Sequence, residues 1–249
     1  MSRRVRICVL APALAGLGAL FAWAIAGLPA FGDYRGPYGF VLNRVVVPLR
    51  HTTNVVMGTN FDVRAVDTMG EEFILYAAIV GVTLLLRDDA RSRRVERHTQ
   101  RFPSGAVRLV GVVMVGGGLL VALWLQAFGY VTPGGGFQGG VLFAGAILLL
   151  YLVGNHRDYR PFRNERILDP LEGLGAGGYV VVGLAALVSG LAFLTNLFGL
   201  GRTGTLLSGG SIPLLNWASA IAVTVAMLIL FAEFLETYHA PLEAEDAGS

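Results

Sequence analysis

The chain has 249 residues, of which 54% are hydrophobic and only 14% charged. Soluble domains carry about 25% charged residues, so the composition indicates a membrane protein and argues against an ordinary soluble enzyme. A net charge of +2 does not mark a nucleic-acid partner, and all 19 basic residues are arginine, which removes Schiff-base and P-loop lysine chemistry.

The first apolar run, Ile7 to Gly32, follows Arg3, Arg4 and Arg6. A signal peptide has an apolar core of about 7–15 residues, and this run is roughly twice that. It reads as a retained membrane span. Cys8 lies within it and, as the single cysteine, reads as an inert apolar thiol without a disulfide partner.

The stretch HTTNVVMGTNFDVRAVDTMGEEF, starting at His51, leads into a second span over Met69 to Leu86. Asp67 or Thr68 suits a helix N-cap, and Glu71 has the capping-box spacing from Thr68. The same residues support a second reading. Asp67 and Glu71 share one helical face; with the Thr68 hydroxyl they offer oxygen ligands for a hard cation, or a stop for protons. Arg64 is spaced to pair with Asp67. His51 reads as a solvated loop residue.

Residues 88–107, DDARSRRVERHTQRFPSGAV, form a charged cytoplasmic linker between a two-span unit and a four-span unit. From Leu109 to His156 there is no formal charge, which is long enough for about two spans: Leu109 to Gly129 and Phe137 to Val153. Between them stands TPGGGFQGG, Thr132 to Gly140, in which Gly134, Gly136 and Gly139 fit G-x-G-x-x-G. Dinucleotide binding requires a strand before this pattern and a βαβ unit around it. Here the flanks are spans. Asp158, at the spacing of a ribose ligand, falls on the opposite membrane face. The stretch therefore reads as a helical-hairpin turn that starts at Pro133. Gly134, Gly135, Gly136, Gly139 and Gly140 with Gln138 exceed what a simple turn needs, so a close helix contact or carbonyls facing a wet passage is expected.

A fifth span covers Gly173 to Phe198 and a sixth Pro213 to Ala232, continuing toward Glu236. Glu233 and Glu236 read as interfacial charges or as part of a proton path. Residues 239–249 form a cytoplasmic tail, whose end, EAEDAGS, has a disordered composition. Three arginines precede the first span, seven lie in 87–108 and four in 157–166, so the positive-inside rule puts both termini in the cytoplasm. Small-residue seams run along span six (Ala218, Ala222, Ala226) and span five (Ala186, Gly190), and Gly116, Gly117 and Gly118 in span three offer another. Charges at mid-depth are too few for an autonomous pump. The fold class is an all-α membrane protein of about six transmembrane helices, packed in the lipid bilayer beside other subunits.

Pro133 to Gly140 resembles the signature of the B subunit of Mrp-type multisubunit sodium/proton antiporters, the MnhB family. GTLLSGGSIPLLN, Gly204 to Asn216 with Pro213, is similar to that family's loop into its last helix. The resemblance implies a four-span domain over 108–238. NVVMGTNFDVRAVDTMGEE, Asn54 to Glu72, resembles the C-terminal region of the A subunit and small subunits of membrane-bound hydrogenases. Arg64, Asp67, Thr68, Gly70 and Glu71 match, Ala65 replaces a glycine, and Met57 to Asp62 takes a small insertion. It implies a second module over 1–87, a plasma-membrane location and partnership with other antiporter subunits. It also implies help in a sodium path without enzymatic chemistry, cofactor or metal beyond transient Na+. Glu71 is the first candidate for an ion-path role and Asp67 the second, followed by Thr68 and Gln138. Many relatives carry a Glu roughly where Ala222 stands, which implies one acidic site fewer here. The alternative is a structural or assembly subunit of a redox-driven complex such as a membrane-bound hydrogenase.

Overall fold

The computed structural model describes residues 3–33, 36–91, 105–153, 162 and 165–238. Asp158, most of the 88–107 linker and the 239–249 tail lie outside them. The described residues form helices and no strand, and six of the helices are long and apolar enough to cross a membrane.

Two compact units divide at Val41/Leu42. The first contains α1, Arg3–Ala26, apolar on all sides, with Leu14, Phe21 and Trp23 exposed. Its span is Ile7–Ala26, shorter than the run to Gly32. The helix stops at Ala26, with Gly27 next, Pro29 three residues on and Gly32 at a left-handed φ of 84°.

Helix α2, Tyr38–Arg50, crosses the division between the units. The second unit continues with α3, Val55–Gly58, and a π-helical turn, Thr59–Val63. Its remaining helices are α4, Ala65–Arg91, α5, Gly105–Ala127, α6, Gly136–Val153, α7, Glu165–Val188, and α8, Ile212–Tyr238.

Helix α8 is the hub, with α4, α6 and α7 all packed on it, while α5 packs chiefly on α6. Small residues permit this. Without a hydrophobic force between helices in lipid, close van der Waals approach must hold them. Ala218 and Ala222 face α7, where a Cβ on Gly175 would lie 2.6 Å from the Ala222 nitrogen and one on Gly178 3.2 Å from the Ala218 Cβ. On another side, a Cβ on Gly136 would strike the Asn216 carbonyl, and one on Gly140 would lie 2.9 Å from the Ala220 carbonyl. The glycine turn thus touches α8 as well as α5, which Gly139 meets at Gln126.

Two features differ from the sequence reading. The fifth span runs Arg166–Val188 and not Gly173 to Phe198. Its helix continues through Asp169 and Glu172, charges that broke the apolar run but sit at one helix end. It stops in a Schellman motif: Leu191 N–H donates to the Ala186 carbonyl at 3.0 Å and Gly190 N–H to Leu187 at 2.9 Å. Gly190 has φ 78°, and a Cβ there would meet nothing within 4 Å, so it caps the helix and forms no seam with Ala186. Of the glycine triplet in α5, only Gly118 packs closely, against Ala146.

The packing contrast gives a direct test. Gly136→Ala must displace α8 backbone, whereas a Cβ on Gly117 meets nothing within 4 Å. G136A should destabilise the detergent-solubilised protein by about 1–3 kcal/mol, with G117A near neutral. Thermal unfolding followed by circular dichroism checks this.

Candidate functional site

The site lies where two turns and one helix start meet. Segment 51–54 clamps the α5–α6 turn. Asn54 caps α3 by accepting from Val56 N–H at 3.1 Å and Met57 N–H at 3.3 Å. Its amide nitrogen donates to the Gly129 carbonyl at 2.6 Å and to Thr132 at 3.2 Å. Thr52 donates to the Tyr130 carbonyl at 2.5 Å, and Thr53 to Val131. His51 is also bound: Nδ1 lies 2.6 Å from the Gly201 carbonyl, so it is not a free loop residue. Burial pushes the Tyr130 phenol above its usual range, which keeps it protonated; it donates to the Leu206 carbonyl at 2.6 Å.

Asn216, the last residue of the Gly204 to Asn216 segment, is fully buried. Its Oδ1 accepts from Gly136 N–H at 2.6 Å, and its Nδ2 donates to the Gln126 carbonyl at 2.6 Å. Those are orphan backbone groups at the start of α6 and the end of α5. One side chain therefore joins three helices. Pro213 stands in the first turn of α8, where a missing N–H costs nothing. Pro133 is exposed in the turn before α6.

The π turn precedes α4. Arg50 pairs with Asp62, whose carboxyl is pushed up by burial, while the guanidinium pulls it down. Arg64 pairs with Asp67, as its spacing predicts. The capping reading of Thr68 fails. Helix α4 already begins at Ala65, so Thr68 lies inside it and donates to the Asn60 carbonyl at 2.8 Å.

Between α4 and α6, with α8 behind them, lies a cavity of about 660 Å³. Thr68, Glu71, Gln138, Asn60 and Ser219 line it together with the backbone of Gly136. Three sequence candidates thus meet in one place. Asp67 does not line it; exposed and paired with Arg64, it faces elsewhere. Glu233 is half-buried toward the far end of α8, and the side chain of Glu236 lies outside the described ones.

Glu71 is exposed on the cavity wall, while its neighbour Glu72 is 3% exposed and accepts from Ser219. The sequence reading assigned no role to Glu72, Asn216 or Ser219. A signal for them was present. Ala65, Thr68, Glu72 and Ile79 form one buried stripe of α4, and Asn216 and Ser219 are polar residues three apart in an apolar helix.

Residues 106–229 match the domain related to the MnhB subunit of Na+/H+ antiporter. This part of the chain is thus an MnhB-family domain. An uncharacterized protein of Methanocaldococcus jannaschii is 28% identical over 198 residues, covering 70% of this chain and 74% of its own. A chain of the membrane-bound sulfane sulfur reductase, an archaeal respiratory membrane complex, superposes with a TM-score of 0.68 at 26% identity, covering 93% of this chain and 98% of that one. A chain of the Mrp complex from Dietzia sp. DQ12-45-1b shares the fold, with a TM-score of 0.62 at 22% identity over 99% of this chain; this chain spans 27% of its length. The protein is thus a multi-pass membrane subunit of the antiporter-like class, and TPGGGFQGG belongs to the MnhB domain.

Within that domain Asn216 carries the turn. Asn216→Ala leaves the Gly136 N–H and Gln126 carbonyl bare and should cost about 1–3 kcal/mol for each. Denaturant titration in detergent measures the loss, and a variant as stable as the parent removes the linking role.

Proposed function

We propose that this chain is an integral subunit of a multisubunit monovalent cation/proton antiporter and forms one wall of its cation path. The observation that carries this is the cavity shared by Glu71, Thr68, Gln138 and Ser219. It offers a carboxylate, hydroxyls and an amide oxygen, the hard donors a sodium ion takes. Glu71 supplies the charge. Gln138 supplies an oxygen from the glycine turn, and Thr68 shapes the wall through its bond to Asn60. Asp67, held by Arg64 outside the cavity, takes no part in this wall. Neighbouring subunits close the outer side, where Glu71 and Gln138 are exposed. The chain itself performs no bond-making chemistry. It lies in the plasma membrane with both termini in the cytoplasm, a placement supported by the arginine distribution. The chain combines an A-subunit-like module with the MnhB domain, a reading supported by the motif at Asn54 to Glu72.

A second reading is favoured by the match to the sulfane sulfur reductase chain, which covers nearly the full length of both partners. In it the same wall serves a redox-driven complex. Subunits that copurify with the tagged chain in mild detergent separate the two: iron–sulfur partners support the second, further antiporter subunits the first.

The ion role is tested by Glu71→Gln in the assembled complex. Losing the charged ligand removes about 1.5–3 kcal/mol, so ΔpH-driven sodium exchange in proteoliposomes should weaken about ten- to hundredfold in apparent sodium affinity. Unchanged exchange kinetics would eliminate Glu71 from the path.

A further inference from the structure

The cavity is larger than an inorganic ion needs. A hard cation draws its oxygen ligands to about 2.3–2.6 Å. One ion therefore engages a corner of a space of about 660 Å³, a volume in the range of small-molecule sites. Gly136 and Gly145 both line it. They stand nine positions apart on α6, so the cavity runs about 13 Å along that helix. Its two sides differ. Phe137, Val141 and Leu142 of α6, with Phe61 of the π turn, make an apolar side, while α4 and α8 contribute Thr68, Glu71 and Ser219.

These polar groups are acceptors whose own protons are engaged elsewhere. Thr68 Oγ1 donates to the Asn60 carbonyl at 2.8 Å, and Ser219 Oγ donates to Glu72. The Gly136 N–H is taken by Asn216 Oδ1 at 2.6 Å. Each hydroxyl oxygen keeps acceptor capacity, and the Glu71 carboxylate only accepts. Glu71 is also the one charged residue among the described residues that line the cavity. Arg50 and Arg64 are engaged by Asp62 and Asp67. The complementary occupant is positive, rich in N–H donors and apolar over most of its length.

We propose that the cavity binds a primary ammonium carried on a hydrocarbon body. The ammonium donates to Glu71, Thr68 and Ser219, three donors for three acceptors. The body lies along Phe137, Val141 and Leu142. No covalent bond is made or broken. Two sources carry this chemistry, a free amine and the headgroup of phosphatidylethanolamine. The site shares Glu71 with the cation path but stands without it, because it rests on the length of the cavity, its apolar side and its spare acceptors.

The test is equilibrium binding of 2-phenylethylammonium to the full chain, purified with its complex and held in phosphatidylglycerol nanodiscs, followed by calorimetry. The neutral 2-phenylethanol is the control. The ammonium should bind saturably, and the alcohol about tenfold more weakly or worse. Glu71→Gln should weaken the ammonium about ten- to hundredfold. At Gly145 an added Cβ meets nothing within 4 Å, so Gly145→Leu should melt like the parent yet bind the ammonium several-fold more weakly. Equal binding of the alcohol, or an unchanged affinity in E71Q or G145L, overturns the proposal. If E71Q does not assemble, the alcohol and G145L decide. Phosphatidylethanolamine added to the nanodiscs separates the sources: competition with the probe assigns the site to the lipid headgroup, and its absence to a free amine. Sodium exchange unimpaired in E71Q, with ammonium binding lost, would remove the cation path and keep this site. Impaired exchange with ammonium binding intact does the reverse.

Discussion

A bilayer offers no water to a bare backbone group, and each one left unpaired costs several kcal/mol. The α5–α6 turn exposes two such groups to the bundle, the Gln126 carbonyl and the Gly136 N–H. Asn216 answers both with one amide. An asparagine side chain is short, so this pairing works only if α6 comes almost into backbone contact with α8. That closeness explains why Gly136 and Gly140 cannot carry a Cβ. The glycines and the asparagine form one device written in two distant stretches. The position of Gln138, on the open side of the same helix start, is a result of it.

The N-terminal segment is attached by different means. Thr52, Thr53 and Asn54 grip successive carbonyls of the turn from Gly129 to Thr132. Hydrogen bonds of this kind fix a register that greasy contact alone leaves loose. Apolar packing of Met57, Phe61 and Ala65 with Tyr130, Tyr179 and Leu215 then fills the space. Helix α4 is thereby held on α8 beside α6, and the polar cavity lies between the two. Its location is set by these two attachments together.

The six spans were legible because uncharged runs of about 20 residues have few other fates in a protein. Their ends were less so. Charge marked the start of α7 too late, since a helix tolerates Asp169 and Glu172 where it leaves the hydrocarbon. Glycine had two meanings: Gly190 ends a helix, whereas Gly175 seats one. Spacing alone does not separate them. The pairing of Arg64 with Asp67 was readable from their offset. Which of Glu71 and Glu72 points inward was not, because adjacent helical residues diverge by about 100° and the choice belongs to the partner helix. Thr68 was misjudged as a cap because the helix start is set upstream, at a backbone break no single residue announces. Met57 to Asp62, where the family motif takes an insertion, overlaps the π turn.

That turn has a consequence for which of the two carboxylates faces the cavity. A π turn accommodates one residue more than an α-helical turn, and each residue rotates the downstream helix by about 100°. Thr59–Val63 therefore acts as a phase setting for α4. Removing one residue there would spin the helix on its axis by about the angle that separates Glu71 from Glu72. The carboxyl presented to the cavity and the one presented to Ser219 are thus chosen by backbone count several residues upstream, with no change to either glutamate.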